Sequence, residues 1–181
     1  MAKRFPSIGC CGIDCGLCPR FYTDCRSRCP GCGGDGFEDV HPPCSFKTCC
    51  ADKNHLETCS QCAEFPYRKY KDKVKIEHDS FVTHKRIFQN HEMIKGIGFD
   101  EFIKLQDERI LLVREMLENY YDGRSKSFYC LAAALLSAEN LRAAIMEAAY
   151  CGSDAKHRAA ALKSALKKYA DIQKVELKLI K

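Results

Sequence analysis

The sequence predicts a mainly α-helical protein in which a small, irregular, cysteine-rich metal-binding domain precedes a compact helical bundle. Two observations place the division between residues 1–66 and 67–181. Twelve of the 14 cysteines lie between Cys10 and Cys62. That stretch is rich in Gly, Pro and Asp and has no sustained hydrophobic period, whereas apolar residues recur at helical spacing after it. We therefore expect the chemistry of the protein to be concentrated in the N-terminal third.

Dense cysteine is typical either of disulfides in an oxidising compartment or of thiolate ligands in a reducing one. The first nine residues carry charge but lack the apolar run of about 7–15 residues that marks a secretory signal. No stretch of the sequence approaches the ~18 apolar residues of a membrane span. We therefore expect a cytoplasmic protein without membrane association, whose reduced thiols bind metal.

Residues 9–55 read as loops and tight turns with few aliphatic side chains. Such a segment buries too little apolar surface to offset the entropy of ordering its backbone, about 1–2 kcal/mol per residue. Structural zinc contributes about 10–16 kcal/mol in small peptides. Metal coordination is therefore expected to hold this segment together.

The predicted ligands are nine cysteines, six of which form pairs with the two-residue spacing that directs both sulfurs of a turn at one ion. The pairs are Cys15 and Cys18, Cys29 and Cys32, and Cys59 and Cys62. The other three predicted ligands are Cys11, Cys44 and Cys49. Since two tetrahedral zinc sites need eight thiolates, one of the nine is surplus or bridging.

Spacing alone does not assign the ligands to their partners. The expected arrangement joins the first pair to the second, and joins Cys44 and Cys49 to the third pair. The remaining cysteines of this region, Cys10, Cys25 and Cys50, are interpreted as small thiols that pack or stay exposed. For Cys10 and Cys50 the reason is that adjacent cysteines rarely both ligate the same ion.

An iron–sulfur cluster is the alternative cofactor to Zn²⁺, because Cys11, Cys15 and Cys18 provide three thiolates in a tight arc. Radical S-adenosylmethionine enzymes use this spacing, but they need a strand-and-helix barrel that the sequence does not predict. A third interpretation makes Cys59 and Cys62 a redox dithiol at a helix start. No alternating strand-and-helix pattern surrounds them, so ligation is favoured.

The formal net charge of +5 does not indicate a nucleic-acid partner, because it counts every thiol as neutral. A zinc ion held by four thiolates carries about −2, so two such sites would lower +5 to about +1. Residues 67–75 interleave Tyr with Lys and Arg, as single-strand binders do, but an exposed amphipathic helix has the same composition. We expect an unidentified protein or a small anionic ligand as partner.

The predicted bundle follows a short basic helix over residues 67–75. A second helix is expected over about 78–95, ended by Gly96 and Gly98. Asp100 is the expected N-cap of a long third helix that stops at Gly123. The apolar face of this third helix carries Ile103, Ile110, Val113, Leu117 and Tyr120.

Three further helices complete the expected bundle. Residues 127–136 are apolar nearly all round, which predicts a buried central helix. Ser137 is the expected cap of a helix over 138–150. Either Ser153 or Asp154 starts the last helix. The residues expected to face inward from that helix are Leu162, Leu166, Tyr169 and Ile172.

The ordered series of cysteine motifs resembles the cysteine-rich family known as domain of unknown function 3795. The motifs run Cys11-Gly-Ile-Asp-Cys15-Gly-Leu-Cys18, Cys29-Pro-Gly-Cys32, Cys44-Ser-Phe-Lys-Thr-Cys49 and Cys59-Ser-Gln-Cys62-Ala-Glu-Phe-Pro. The resemblance covers about residues 9–67 and implies a small prokaryotic metal binder without an established activity. Many members have a cysteine after Phe-Pro where this chain has Tyr67. That difference implies either a dispensable ligand position or a site completed in another way.

Two weaker features complete the candidates. Arg124 and Lys126 lie just before a predicted helix and are candidate anion ligands, although a capped turn is the simpler interpretation. His78, His84 and His91 recur at intervals near seven, which would bring His84 and His91 to one helix face. Solvated or hydrogen-bonded histidines are favoured there over metal ligands.

Overall fold

The computed structural model describes residues 2–68, 70, 74, 77–150 and 154–181. Within these residues the protein is mainly helical and has no strand, so the predicted mainly α class is confirmed. The α-helices are Phe37–Val40 (α1), Ser45–Lys47 (α2), Ile87–Ile97 (α3), Phe99–Tyr120 (α4), Lys126–Leu135 (α5), Ala138–Ala149 (α6) and Ala155–Gln173 (α7). Short 3₁₀ turns cover Cys15–Leu17, Pro19–Tyr22 and Cys59–Gln61, and a π-helical turn covers Thr48–Lys53. None of the described helices is both long and apolar enough to cross a membrane.

Helix α5 is the buried centre of the bundle, as its apolar composition predicted. Tyr129, Cys130 and Ala132 are at most 1% exposed, and they pack in one apolar core with residues of α4, α6 and α7. The inward face of α4 also matches the prediction, since Ile110, Val113 and other residues of that stripe are buried. Helical periodicity therefore identified the core of the bundle correctly.

Helix α4 begins two residues earlier than predicted, since its N-cap is Gly98 and not Asp100. It starts at Phe99, directly after Gly98, whose φ of +87° ends α3. Asp100 is therefore a residue of the first turn and not the N-cap. Its carboxylate still stands near the positive end of the helix dipole, which is favourable for a negative charge. The predictions for the starts of α6 and α7 are correct, because Ser137 accepts from the Asn140 N–H and Asp154, one of the two predicted starts, accepts from the Lys156 N–H.

The helix predicted from about residue 78 was wrong over its first half, because α3 begins only at Ile87. The Asp79 carboxylate accepts hydrogen bonds from the His84 backbone N–H, at 2.6 Å, and from the Thr83 hydroxyl. Such side-chain bonds compete with helical pairing. His84 therefore does not share a helix face with His91. The basic helix predicted over 67–75 falls largely on residues outside those described.

The inward face predicted for α7 is correct at Leu162 and Leu166 but wrong at Ile172, which is 65% exposed. At about 100° per residue, Ile172 points roughly 120° away from Leu166, whereas Ala170 points only about 40° away from it. Ala170 occupies the buried stripe instead and is 3% exposed. A bulky apolar side chain near a helix end was thus mistaken for part of the core.

The cysteine-rich segment packs directly against the bundle. Leu17, from the first cysteine turn, is 2% exposed and belongs to the same apolar core as α5. The Lys126 ammonium at the start of α5 donates to the Tyr22 carbonyl at 2.9 Å. Conversely, Tyr70 and Ile87 lie in the apolar cluster that contains the buried cysteines. Contacts therefore cross the predicted boundary at residue 66 in both directions.

Candidate metal centre

Six of the nine predicted ligands line one cavity of about 280 Å³. These thiols belong to Cys11, Cys15, Cys18, Cys29, Cys32 and Cys44. The rest of the wall includes the apolar side chains of Phe37, Phe81 and Val82. The expected association of the first cysteine pair with the second is consistent with this arrangement. Cys44 lines the same cavity, whereas it was expected beside the third pair.

The second cysteine pair is positioned by a glycine turn. Gly31 has a φ of +89°, which L side chains rarely adopt, and a Cβ here would collide with the Pro6 carbonyl oxygen. The adjacent Cys32 N–H donates to that same oxygen at 2.9 Å. The turn between Cys29 and Cys32 is therefore clamped against the N-terminal segment of the chain.

The arc from Cys11 to Cys15 is fastened to two helices through buried Asp14. The Asp14 carboxylate accepts from the Asn90 amide of α3 at 2.8 Å and from the Gln106 amide of α4. The Asn90 amide also donates to the Gly12 carbonyl at 2.9 Å. Burial raises the pKa of Asp14, while the charge of Arg86 opposes that rise. The sequence analysis did not predict this network. The available signal was that Asn90 and Gln106 are polar residues on the apolar faces of their helices.

His91 lies directly behind the same arc and is fully buried. A Cβ on Gly12 would come within 2.7 Å of its Nε2 atom. Its ring packs against Phe65 and Tyr70, with centroid distances of 4.7 and 5.4 Å. Burial lowers the pKa of His91 to about 4, and the nearby backbone of Cys11 opposes that shift. The expectation of a solvated histidine was wrong at His91, because its ring is buried. Among the described residues, neither ring nitrogen has a hydrogen bond of normal geometry.

A second set of thiols, which we term the inner thiol group, consists of Cys10, Cys32, Cys50 and Cys59. All four are buried, with exposures of 1–6%. The Sγ atoms of Cys10 and Cys32 are 3.8 Å apart. The Cys50 thiol lies close enough to those of Cys10 and Cys59 to influence their pKa values, and it donates to the Leu56 carbonyl at 3.3 Å. Cys10 and Cys50 were interpreted as spare thiols, but the structure places both against predicted ligands.

Neighbouring cysteines in the sequence therefore go to different places. Cys10 lies in the inner thiol group, while Cys11 lines the cavity. Cys50 is buried in the inner group, while Cys49 is half-buried beside the Asn54 amide. Within each of these two adjacent pairs, the two thiols thus have different neighbours. It does not follow that one member of each pair is spare.

The predicted ligands Cys49 and Cys62 are half-buried and line neither the cavity nor the inner thiol group. Tyr67 stands close to the inner group, with its hydroxyl oxygen 3.5 Å from the Cys59 Sγ atom. This is the position at which the resembled family often has a cysteine. The Tyr67 hydroxyl therefore contacts the inner thiol group at the position where a cysteine would add a further thiol.

Buried thiols are poor acids, and their environment here shows the effect. Burial raises the pKa of Cys11 to about 12, and it also raises the pKa of Cys15 and Cys18. In the inner group, hydrogen bonds from Cys32 and Cys50 lower the pKa of Cys10. Without a cation the thiols of Cys11, Cys15 and Cys18 thus favour the protonated form. A thiophilic ion would displace their protons on binding.

The thiols of the described residues do not form a ready coordination sphere. In the part of the chain that the structure describes, no group of three or more Cys, His, Asp or Glu side chains is arranged to hold a metal ion. The described cysteines are free thiols. Each cysteine sulfur turns about a single side-chain torsion with three staggered positions. Coordination would therefore require rotation of thiols that already line a common space.

The cavity wall opposite the thiols is held by the C-terminal segment of the chain. Asp79 and Ile180 exchange two hydrogen bonds of 2.8 Å, one from each backbone N–H. The Lys85 ammonium donates to the Lys178 carbonyl at 3.2 Å. These bonds flank Phe81, which lines the cavity. This long-range contact has no signature in the sequence.

The candidate anion site at Arg124 and Lys126 is already supplied with partners from the chain. The Asp122 carboxylate accepts from the backbone N–H groups of Arg124 and Ser125, both at 2.9 Å. Asp122 also pairs with the Lys163 ammonium at 2.6 Å. The geometry is that of a capped turn, which was the simpler interpretation of this segment.

Comparisons with family models, with curated proteins and with solved structures found no match for this chain. The family resemblance of the cysteine motifs therefore stays a prediction. The arrangement of the thiols is therefore the feature of the molecule that points to a function.

Proposed function

We propose that the protein is a metal-binding protein whose cysteine-lined cavity holds an iron–sulfur cluster. The observation that carries this proposal is the convergence of six thiols on one cavity of about 280 Å³. Cys11, Cys15 and Cys18 would supply three ligands, and either Cys29 or Cys44 the fourth. Iron–sulfur clusters are held by four such thiolates.

The size of the cavity favours a cluster over a single zinc ion. With bonds of about 2.3 Å, a tetrahedral zinc site brings its sulfurs to within about 3.8 Å of one another and leaves no central space. The cavity of about 280 Å³ is many times the share of one water molecule in the liquid, about 30 Å³. The space suits a group of several atoms, and thiolates suit the iron of such clusters.

The surroundings of the cavity support the same proposal. The Asp14 network holds the arc of three cysteines between α3 and α4, so the ligands are positioned by the bundle. Phe37 and Val82 limit the access of water, and exposure to solvent is one determinant of a cluster's reduction potential. A bound cluster supplies one-electron transfer. We therefore propose a redox role, with zinc as the second candidate because of the inner thiol group.

The test is anaerobic reconstitution of the full chain with iron and sulfide, followed by metal analysis and absorption spectroscopy. We expect a brown protein containing iron and acid-labile sulfide. Cys15→Ser and Cys18→Ser should lose most of the iron, because each removes one of the three ligands of the cavity arc. Cys25→Ser is the matched control, since Cys25 is exposed and lines no part of the cavity.

A colourless wild-type protein after reconstitution would overturn the proposal. So would full iron and sulfide in both cavity variants. Where a variant fails to fold, alkylation of the wild-type thiols answers the same question. Cavity thiols should be protected after reconstitution and reactive before it, and unchanged reactivity would contradict cluster binding.

A further inference from the structure

The inner thiol group contains none of the three cysteines of the cavity arc, Cys11, Cys15 and Cys18, although it adjoins the cavity. Its four thiols come from four parts of the cysteine-rich region: Cys10 precedes the first pair, Cys32 ends the second, Cys50 lies in the π-helical turn and Cys59 begins the third. Only Cys32 also lines the cavity. We propose that Cys10, Cys32, Cys50 and Cys59 form a structural zinc site.

The spacing of the sulfurs fits a zinc ion. The Cys10 and Cys32 Sγ atoms are 3.8 Å apart, which is the distance between two thiolates on a tetrahedral zinc with bonds of about 2.3 Å. The contacts continue from Cys10 to Cys50 and from Cys50 to Cys59. These contacts run from one thiol to the next and do not surround a common point. The thiols of Cys32 and Cys59 would therefore rotate toward a common centre when the ion binds.

The chemistry of the group also favours a cation. A thiol is a weak hydrogen-bond donor and a weak acceptor. Besides one another, these thiols contact only weak partners such as the Leu56 carbonyl for Cys50 and the Tyr67 hydroxyl for Cys59. Four sulfur–zinc bonds would replace these contacts and release protons to solvent. Burial among Ala51, Tyr70 and Ile87 would keep water from the ion.

A buried cation stands beside the group. The Lys3 side chain is 1% exposed and donates to the Ile8 carbonyl, two residues before Cys10. Glu57 is its carboxylate partner at 3.9 Å, a long contact that leaves much of the positive charge available. A zinc ion with four thiolates carries about −2, so a neighbouring ammonium would stabilise it. Among the described residues, Glu57 is the only carboxylate within 4.0 Å of the Lys3 ammonium.

The proposed site explains how a segment with few aliphatic residues holds its shape. One ion would join residues 10, 32, 50 and 59, which are separated by 22, 18 and 9 positions. Joining distant points restricts the unfolded chain and therefore stabilises the folded one. This role does not require the cavity to hold a cluster, and five thiols remain on the cavity wall.

The test is zinc titration of the metal-free, reduced full chain, with bound zinc measured by elemental analysis. We expect one zinc to bind to the inner group. Cys50→Ser should weaken that binding by more than about 100-fold, since even residues that only support a ligand contribute about 10–100-fold. Cys18→Ser should lose the cavity metal but keep this zinc. Cys25→Ser should keep both.

Two measurements on the wild type remain decisive if Cys50→Ser does not fold. Cobalt(II) in place of zinc should give the intense thiolate charge-transfer absorption of a four-sulfur site. Zinc should also protect Cys10, Cys50 and Cys59 together from alkylation, as mapped by mass spectrometry. The proposal is overturned if these thiols stay reactive with zinc bound, or if Cys50→Ser folds and binds zinc as tightly as the wild type. A wild-type protein that binds this zinc but takes up no iron on reconstitution would contradict only the proposed cluster.

Discussion

Asp14 illustrates how a single buried residue determines the position of a candidate ligand arc. It lies between Cys11 and Cys15, and its carboxylate is the acceptor for one amide from α3 and one from α4. Few other groups in the described chain connect the cysteine-rich region to two helices at once. A buried donor without its acceptor is costly, about 1–3 kcal/mol.

We expect Asp14→Ala to lower the free energy of unfolding by about 1–3 kcal/mol, because it leaves the Gln106 amide without its acceptor. Denaturation in guanidinium chloride at neutral pH measures this loss. Asp14→Asn is the matched control, since it keeps the Oδ1 acceptor and should lose less than half as much. Equal loss in both variants would show that the negative charge, and not the acceptor, is what the network needs.

At the scale of single elements, the start of α5 depends on Asp122. Its Oδ1 atom accepts two backbone N–H groups and its Oδ2 atom pairs with Lys163 of α7. This carboxylate thus holds the turn that precedes α5 and links it to α7. The Lys163 ammonium, together with the Arg124 backbone N–H, holds the pKa of Asp122 well below its usual range.

The low pKa of Asp122 predicts a pH dependence of stability. Since the folded pKa lies below the unfolded value of about 3.9, the stabilisation is fully present above about pH 5 and is lost as the pH falls through the folded pKa. Asp122→Asn should lower the free energy of unfolding by about 1 kcal/mol at pH 7, a modest figure because the pair is partly exposed. The difference from wild type should shrink below about pH 4.

Denaturant titrations of both proteins from pH 7 to pH 3 measure this effect. The exposed pair of Glu101 and Lys104 provides the control, because Glu101→Gln should have no measurable effect across the same range. A difference for Asp122→Asn that stays constant down to pH 3 would contradict the assignment to the ion pair.

At the scale of the whole molecule, two kinds of core are joined. The bundle core of α4–α7 is aliphatic and aromatic, with Cys130 as its buried thiol. The cysteine-rich region is instead organised around the cavity and the inner thiol group. Leu17 ties the two together by burying its side chain in the bundle.

We expect metal removal to affect these two cores unequally. After chelation under reducing conditions, backbone amides of residues 9–62 should exchange with solvent much faster, because coordination no longer orders them. Amides of α5 and α6 should keep most of their protection, since their core is independent of the thiols. Hydrogen exchange read by mass spectrometry separates the regions, and restoring the metal is the control. Equal loss of protection in α5 and α6 would mean that both parts unfold as one unit.

The elements that were predictable are those whose pattern is local. The apolar stripe of α4, the apolar composition of α5 and the caps at Ser137 and Asp154 each follow from residues within a few positions of one another. The missed elements depended on competition, as at Asp79, where side-chain hydrogen bonds replaced the start of a helix. Ile172 was missed because hydrophobicity was weighed above helical phase.

The cysteine-rich region shows the same division. Residue types and spacing alone establish that thiols are concentrated there, that they occur in turns of two-residue spacing, and that a soft metal is the chemistry they suit. Which sulfurs meet depends on how turns far apart in the sequence pack. Cys10 reaches Cys32 across 22 positions and Cys44 joins the first two pairs at the cavity. Spacing carries no information about such contacts, because loops of similar length can close in many ways until a packed helical surface selects one.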